Sequence, residues 1–75
     1  MARREYIAAA QARGWHFADA CMQLGKKPTP QKFSAMLNSA LEYAKDTAFK
    51  NSEAFNKEDA TVAFQGAFTD HPRVP

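Results

Sequence analysis

Residues 29–55 read TPQKFSAMLNSALEYAKDTAFKNSEAF, and this stretch decides the fold. On a helical wheel its apolar side chains fall within an arc of roughly 140°, the wide stripe of a helix that packs on a core. The stripe consists of Phe33, Met36, Leu37, Ala40, Leu41, Ala44 and Ala48. Thr29 is placed to cap this helix with its hydroxyl, and Pro30 suits the first helical position. The sequence therefore predicts a helix that begins at residue 30.

The end of this helix is open to two interpretations. Asn51 and Ser52 are typical of a helix end, whereas Phe55 is still in phase with the apolar stripe. The phase favours continuation, so we predict a second helix over residues 30–55.

A third, shorter helix is predicted over residues 57–68. Asn56 is placed to cap it, and Glu58 and Asp59 fill a first turn in which negative charge suits the helix dipole. Residues 69–75 contain two prolines and no periodicity, which predicts an extended tail.

The first helix is predicted over residues 2–24. Its apolar positions repeat at alternating spacings of three and four, the pattern of a heptad. They are Ile7, Ala10, Gly14, Phe17, Cys21 and Leu24. At Gly14 the missing side chain either lets a partner helix approach closely or bends the helix, and the sequence does not decide between the two. Gly25 stands where a left-handed helix end is expected.

A link of about five residues between two amphipathic helices is typical of antiparallel neighbours. The predicted fold is therefore all-α and has no strand: an antiparallel helical hairpin plus a short third helix, which doubles into a helical bundle. Residues 1–68 form a single helical domain, because 75 residues leave no room for a second.

Size and composition indicate where such a chain works. A core this small is marginal, and the single cysteine, Cys21, excludes an internal disulfide, so we predict a homodimer or higher oligomer. One cysteine is also typical of a reducing compartment. No apolar run approaches the roughly 20 residues that span a bilayer, and the beginning is too short for a secretory signal. We predict a cytoplasmic protein with no membrane contact.

Charge is unevenly distributed along the chain. Residues 1–37 hold six basic and two acidic side chains, a net charge of +4, whereas residues 38–75 hold four basic and six acidic ones, a net charge of −2. The basic half permits contact with an anion or a nucleic acid. The residues predicted for that contact are Arg3, Arg4, Arg13, Lys26, Lys27 and Lys32.

The sequence offers little for catalysis. His16 and Cys21 lie close in sequence but point about 140° apart on a helix, and one cysteine with two histidines does not make a structural zinc site. No glycine-rich phosphate loop and no nucleophile with an evident base is present. We predict a protein that is not an enzyme, with no metal, no cofactor and no small-molecule substrate.

Several large apolar side chains fall outside the predicted stripes. Trp15 and Met22 lie one heptad apart on the side of the first helix, Phe49 points away from the stripe of the second helix, and Tyr43 lies at its edge. Exposed aromatic and methionine side chains mark association surfaces. The predicted protein interface consists of Trp15, Met22, Tyr43 and Phe49.

These patterns predict a function in binding another macromolecule. The plan of a helical hairpin that doubles into a bundle resembles that of small regulators encoded by plasmids and phages, although no motif carries this resemblance. The first hypothesis is an adaptor, inhibitor or regulator that acts by protein–protein association. The alternative is a nucleic-acid-binding regulator that uses the basic N-terminal half.

Overall fold

A computed structural model of the chain describes residues 4–70 and contains three helices. They are α1 (Glu5–Leu24), α2 (Pro30–Lys50) and α3 (Lys57–Thr69), and there is no strand between residues 4 and 70. The predicted all-α fold is confirmed. Residues 1–3 and most of the predicted tail lie outside the described residues, and the doubling of the bundle stays a prediction.

All three helices pack together, and the interface between α1 and α3 is the most extensive. The starts of α1 and α3 lie side by side, because Arg4 contacts Asp59, and the middle of α1 meets the second half of α3. The two helices are therefore parallel. Short loops connect both to α2, which runs antiparallel to them and forms the predicted hairpin with α1.

Every fourth residue of α1 is buried: Tyr6, Ala10, Gly14 and Ala18. Two members of the predicted heptad, Ala10 and Gly14, belong to this row, and Ile7 and Phe17 are partly buried against the core. The last member, Leu24, is 75% exposed, so the row, not the heptad, describes the packing at the end of α1. Rows of i and i+4 side chains are the usual ridges in close helix packing. A methyl group added at Gly14 would lie 2.6 Å from the carbonyl oxygen of Phe64, so the close-approach interpretation of this glycine is confirmed. Its partner is α3 of the same chain.

The core contains two large side chains that are almost fully buried, Tyr6 and Phe64. Phe64 lies among other phenylalanine rings, 5.7 Å from Phe33 and 6.3 Å from Phe17 between ring centroids. These are ordinary distances for aromatic pairs, which add roughly 0.5–1.5 kcal/mol beyond the area that they bury. The aromatic cluster thereby joins all three helices.

The predicted stripe of α2 is confirmed, with four residues buried and three partly buried. The buried ones are Ala40, Leu41, Ala44 and Ala48. The predicted caps also form: the hydroxyl of Thr29 accepts a hydrogen bond from the N–H of Lys32 at 3.1 Å, and the side chain of Asn56 accepts one from the N–H of Asp59 at 3.0 Å.

The predicted end of the second helix was wrong, because α2 ends at Lys50 instead of residue 55. Ser52 has a left-handed backbone with a φ of 55°, and the N–H groups of Ser52 and Glu53 donate to the carbonyls of Phe49 and Ala48. Such a pair of hydrogen bonds terminates a helix. Gly25, with a φ of 67°, ends α1 in the same way.

Candidate binding surfaces

The start of α1 is fixed to the loop between α2 and α3. The carboxylate of Glu53 accepts hydrogen bonds from the backbone N–H groups of Glu5 and Tyr6, at 2.8 and 3.2 Å. The hydroxyl of Tyr6 in turn accepts one from the N–H of Asn56 at 3.2 Å. We call this region, residues 4–6 with the loop of residues 51–56, the closed end of the bundle. These bonds explain why Phe55 leaves the helix and packs on Tyr6, with ring centroids 5.4 Å apart.

Two of the predicted anion-contacting arginines make contacts within the chain. The guanidinium of Arg4 lies 2.7 Å from the carboxylate of Asp59, and this hydrogen bond raises the pKa of Arg4 above its ordinary value. The guanidinium of Arg13 lies 4.3 Å from the ring centroid of Tyr43, a cation–π contact between α1 and α2. Arg3 lies outside the described residues.

The three predicted lysines lie together at the opposite end of α1, which is about 30 Å long. Lys26, Lys27 and Lys32 line a groove of about 400 Å³ between the end of α1 and the start of α2. Its apolar wall includes Phe17, Ala20, Leu24 and Met36. We call this site the lysine groove and its surroundings the open end. Of the five predicted basic residues that the structure describes, three therefore line the lysine groove, Arg4 lies at the closed end and Arg13 lies in the middle of α1.

A second depression lies on the other side of the same turn. It has a volume of about 280 Å³ and shares Cys21, Lys26 and Lys27 with the lysine groove. Met22, which is 44% exposed, and Phe68 of α3 complete its apolar lining. Cys21 is thus reached from both sides of the open end.

Trp15 lies on the flank where α1 meets α3. Its side chain is 43% exposed and lines a depression with Val62, which is 68% exposed, and with Gly66. The other neighbours are Gln11, Ala63, Ala67 and Asp70. We call Trp15, Val62 and their neighbours the tryptophan face. Asp70, at one edge, is the single charged residue that lines it.

The four predicted interface residues do not share one surface. Trp15 and Met22 line separate depressions on the α1–α3 side, and Tyr43 lies over Arg13 on the α1–α2 side. Phe49, 86% exposed, lies in the last turn of α2. All four side chains are exposed, as their positions outside the apolar stripes of the helices predict.

Two surface residues escaped the sequence analysis. On a helical wheel Val62 falls outside the apolar side of α3, so the sequence alone could have predicted its exposure. Leu24 is in phase with a heptad, and only the straight packing row of α1 explains why it is exposed.

The chain matches no family model, no curated protein and no solved structure. Within residues 4–70, no three histidine, cysteine, aspartate or glutamate side chains come together as metal ligands. Nor does any described helix combine the length and apolar character needed to cross a membrane. The surfaces themselves must therefore carry the functional argument.

Proposed function

We propose that the protein acts by protein–protein association, as a non-enzymatic adaptor, inhibitor or regulator that first pairs with itself. The observation that carries this proposal is the tryptophan face. Trp15 and Val62, contributed by two different helices, line the same depression at exposures of 43% and 68%. Exposed apolar side chains that are grouped in this way mark association surfaces more often than scattered ones do.

The chemistry of the face suits pairing with a second copy. A two-fold interface places the same residues opposite one another, so charged side chains at its centre would face like charges. Trp15, Val62 and Gly66 carry no charge, and Asp70 lies at the end of α3. A tryptophan at the centre and a polar rim is the usual arrangement of binding energy in an interface.

Sedimentation velocity over a range of protein concentrations tests this proposal. We expect the wild type to form a species larger than 8.4 kDa, the mass of one chain. Trp15→Ala should weaken association by about 30-fold, the equivalent of about 2 kcal/mol for a central anchor. Circular dichroism should show that the variant remains helical.

Phe49→Ala is the matched control, since it removes an aromatic ring that is 86% exposed and lies far from the tryptophan face. It should leave association unchanged. A wild type that sediments only as the monomer at high micromolar concentration would contradict the proposal. So would a Trp15→Ala variant that unfolds, because Trp15 would then belong to the core.

Nucleic-acid binding remains the second candidate, and one observation favours it. Three lysines surround the start of α2, where the helix dipole also favours an anion. Arg4 and Arg13 make contacts elsewhere, so the basic surface is smaller than the sequence predicts. Binding to single- or double-stranded DNA that weakens steeply between about 50 and 200 mM salt would support this candidate.

A further inference from the structure

We infer that the lysine groove is a second binding site, for an acidic peptide segment that carries large apolar side chains. The groove combines two features that rarely occur together on a surface. Its floor is apolar, built from Leu24, Met36 and Phe17, and its rim holds Lys26, Lys27 and Lys32.

The positive charge of the rim indicates that the bound segment is negatively charged. No carboxylate lines the groove, and none of its three lysines forms a salt bridge within residues 4–70. The positive end of the α2 dipole lies at Thr29, in the same wall. Complementary potentials across an interface select the partner and speed its approach, so an acidic segment is favoured over a neutral or basic one.

The apolar floor separates a peptide from a nucleic acid. Leu24 is 75% exposed and lines the groove together with Phe17 and Met36, and a contiguous apolar patch of this kind marks a binding groove. Single-stranded nucleic acids stack their bases on flat aromatic rings, whereas Phe17 is the single aromatic residue among the described residues that line this groove. Leucine or phenylalanine side chains of a peptide fit such a wall better than bases do.

This site is separate from the tryptophan face, which is lined by other residues. Failure of one proposal therefore leaves the other standing. Trp15→Ala should weaken self-association and retain peptide binding, whereas changes in the lysine groove should weaken peptide binding and retain self-association.

Fluorescence anisotropy with three synthetic peptides tests the inference. The first has about twelve residues, with Leu or Phe at positions i, i+3, i+4 and i+7, the anchors of a bound helix, and Glu or Asp at the positions between them. The second replaces its acids with Gln and Asn, and the third replaces its apolar residues with Ser. A thymidine oligonucleotide is the fourth probe. Only the first peptide should bind with a dissociation constant well below about 1 mM.

Two charge-matched variants localise the binding. The triple variant K26Q, K27Q and K32Q should weaken binding of the first peptide at least about tenfold, because rim charges guide and hold the acids. The triple variant K45Q, K50Q and K57Q has the same net charge and changes exposed lysines elsewhere, so it should bind within about twofold of the wild type. Leu24→Ser tests the apolar floor and should weaken binding without unfolding an already exposed position.

Cys21 provides a second readout of binding, which does not rely on fluorescence anisotropy. It is the single cysteine of the chain and lines the groove, so the bound peptide should slow its reaction with a disulfide reagent such as DTNB. Equal weakening by both triple variants would overturn the inference, as would equal binding of the serine-containing acidic peptide. Tighter binding of the oligonucleotide would assign the groove to nucleic acid. Loss of self-association in the K26Q, K27Q and K32Q variant would assign it to a second copy.

Discussion

The two ends of this bundle are built from the same kind of turn but differ in what surrounds it. At both ends a residue with a left-handed backbone stops a helix, Ser52 at the closed end and Gly25 at the open end. At the closed end, the carboxylate of Glu53 and the hydroxyl of Tyr6 then fix the loop to α1. At the open end, Leu24 and three lysines face outward around a groove.

The difference shows how a chain of 75 residues combines stability with binding. Proteins are least stable locally where few apolar groups are buried and the backbone is exposed, and binding elements are drawn from such regions. Here the long-range hydrogen bonds made by Arg4, Tyr6 and Glu53 lie at the closed end. The open end therefore retains a surface that a partner can cover.

The largest effect is expected from the buried aromatic ring of the closed end. Tyr6→Ala should lower the free energy of unfolding by about 3–5 kcal/mol, because an almost fully buried ring and its hydrogen bond are lost together. Leu24→Ala, at the open end, should change it by no more than about 0.5 kcal/mol. Urea titrations followed by circular dichroism measure both. Similar losses of unfolding free energy in the two variants would show that the two ends do not differ in their contribution to stability.

The next effect concerns the point between the two ends where α1 and α3 cross. A methyl group at Gly14 would lie 2.6 Å from the carbonyl oxygen of Phe64, so Gly14→Ala forces the helices apart and should cost about 1–3 kcal/mol. At Gly66 nothing lies within 4 Å of the added atom, and Gly66→Ala should raise stability by up to about 1 kcal/mol of helix propensity. Thermal melts that rank the two variants the other way would place the crossing point elsewhere.

A smaller loss is expected when the cap of α1 is removed. Glu53→Ala leaves two N–H groups of the first turn without their acceptor and should lower stability by about 1–2 kcal/mol. Hydrogen exchange should accelerate in the first turn of α1 and remain unchanged in the last turn. Glu42→Ala, at an exposed position of α2, is the control and should have little effect. Equal losses at Glu53 and Glu42 would show that the cap adds nothing.

The smallest effects test the shared turn itself. A left-handed backbone costs a residue other than glycine about 1–2 kcal/mol, so Ser52→Gly should stabilise the protein by about 0.5–1 kcal/mol. Gly25→Ala should destabilise it by about 1 kcal/mol for the same reason. Chemical denaturation resolves differences of this size when both variants show the same dependence of the unfolding free energy on denaturant concentration. Changes of the same sign in the two variants would refute this account of the turns.

The sequence predicts the parts of this fold that local chemistry determines. The caps at Thr29 and Asn56, the turn at Gly25 and the stripe of α2 depend on residues within one or two turns of helix, and all four are present. The end of α2 combines a local turn at Ser52, which Asn51 and Ser52 signal in the sequence, with the hydrogen bond of Glu53 to Tyr6, 47 positions away in the chain. Helical phase alone therefore predicted five residues too many.

The candidate sites show the same division. Exposure of Trp15 and Phe49 follows from their phase, but which residues adjoin them depends on how the helices pack. The lysines of the open end are clustered in sequence and remain clustered in space. Arg4 and Arg13 are distant from them because α1 is long and each finds a partner on another helix.

The α1–α3 interface also determines the order in which the protein can assemble during synthesis. Of the three helices, α1 leaves the ribosome before the other two, yet its most extensive partner, α3, is made only after α2. Ribosomes add about 5–20 residues per second, so the row of Tyr6, Ala10, Gly14 and Ala18 stays uncovered on that side for a few seconds. The nascent chain can form the α1–α2 hairpin in that time, and the closed end forms only when Glu53, Asn56 and Asp59 have emerged.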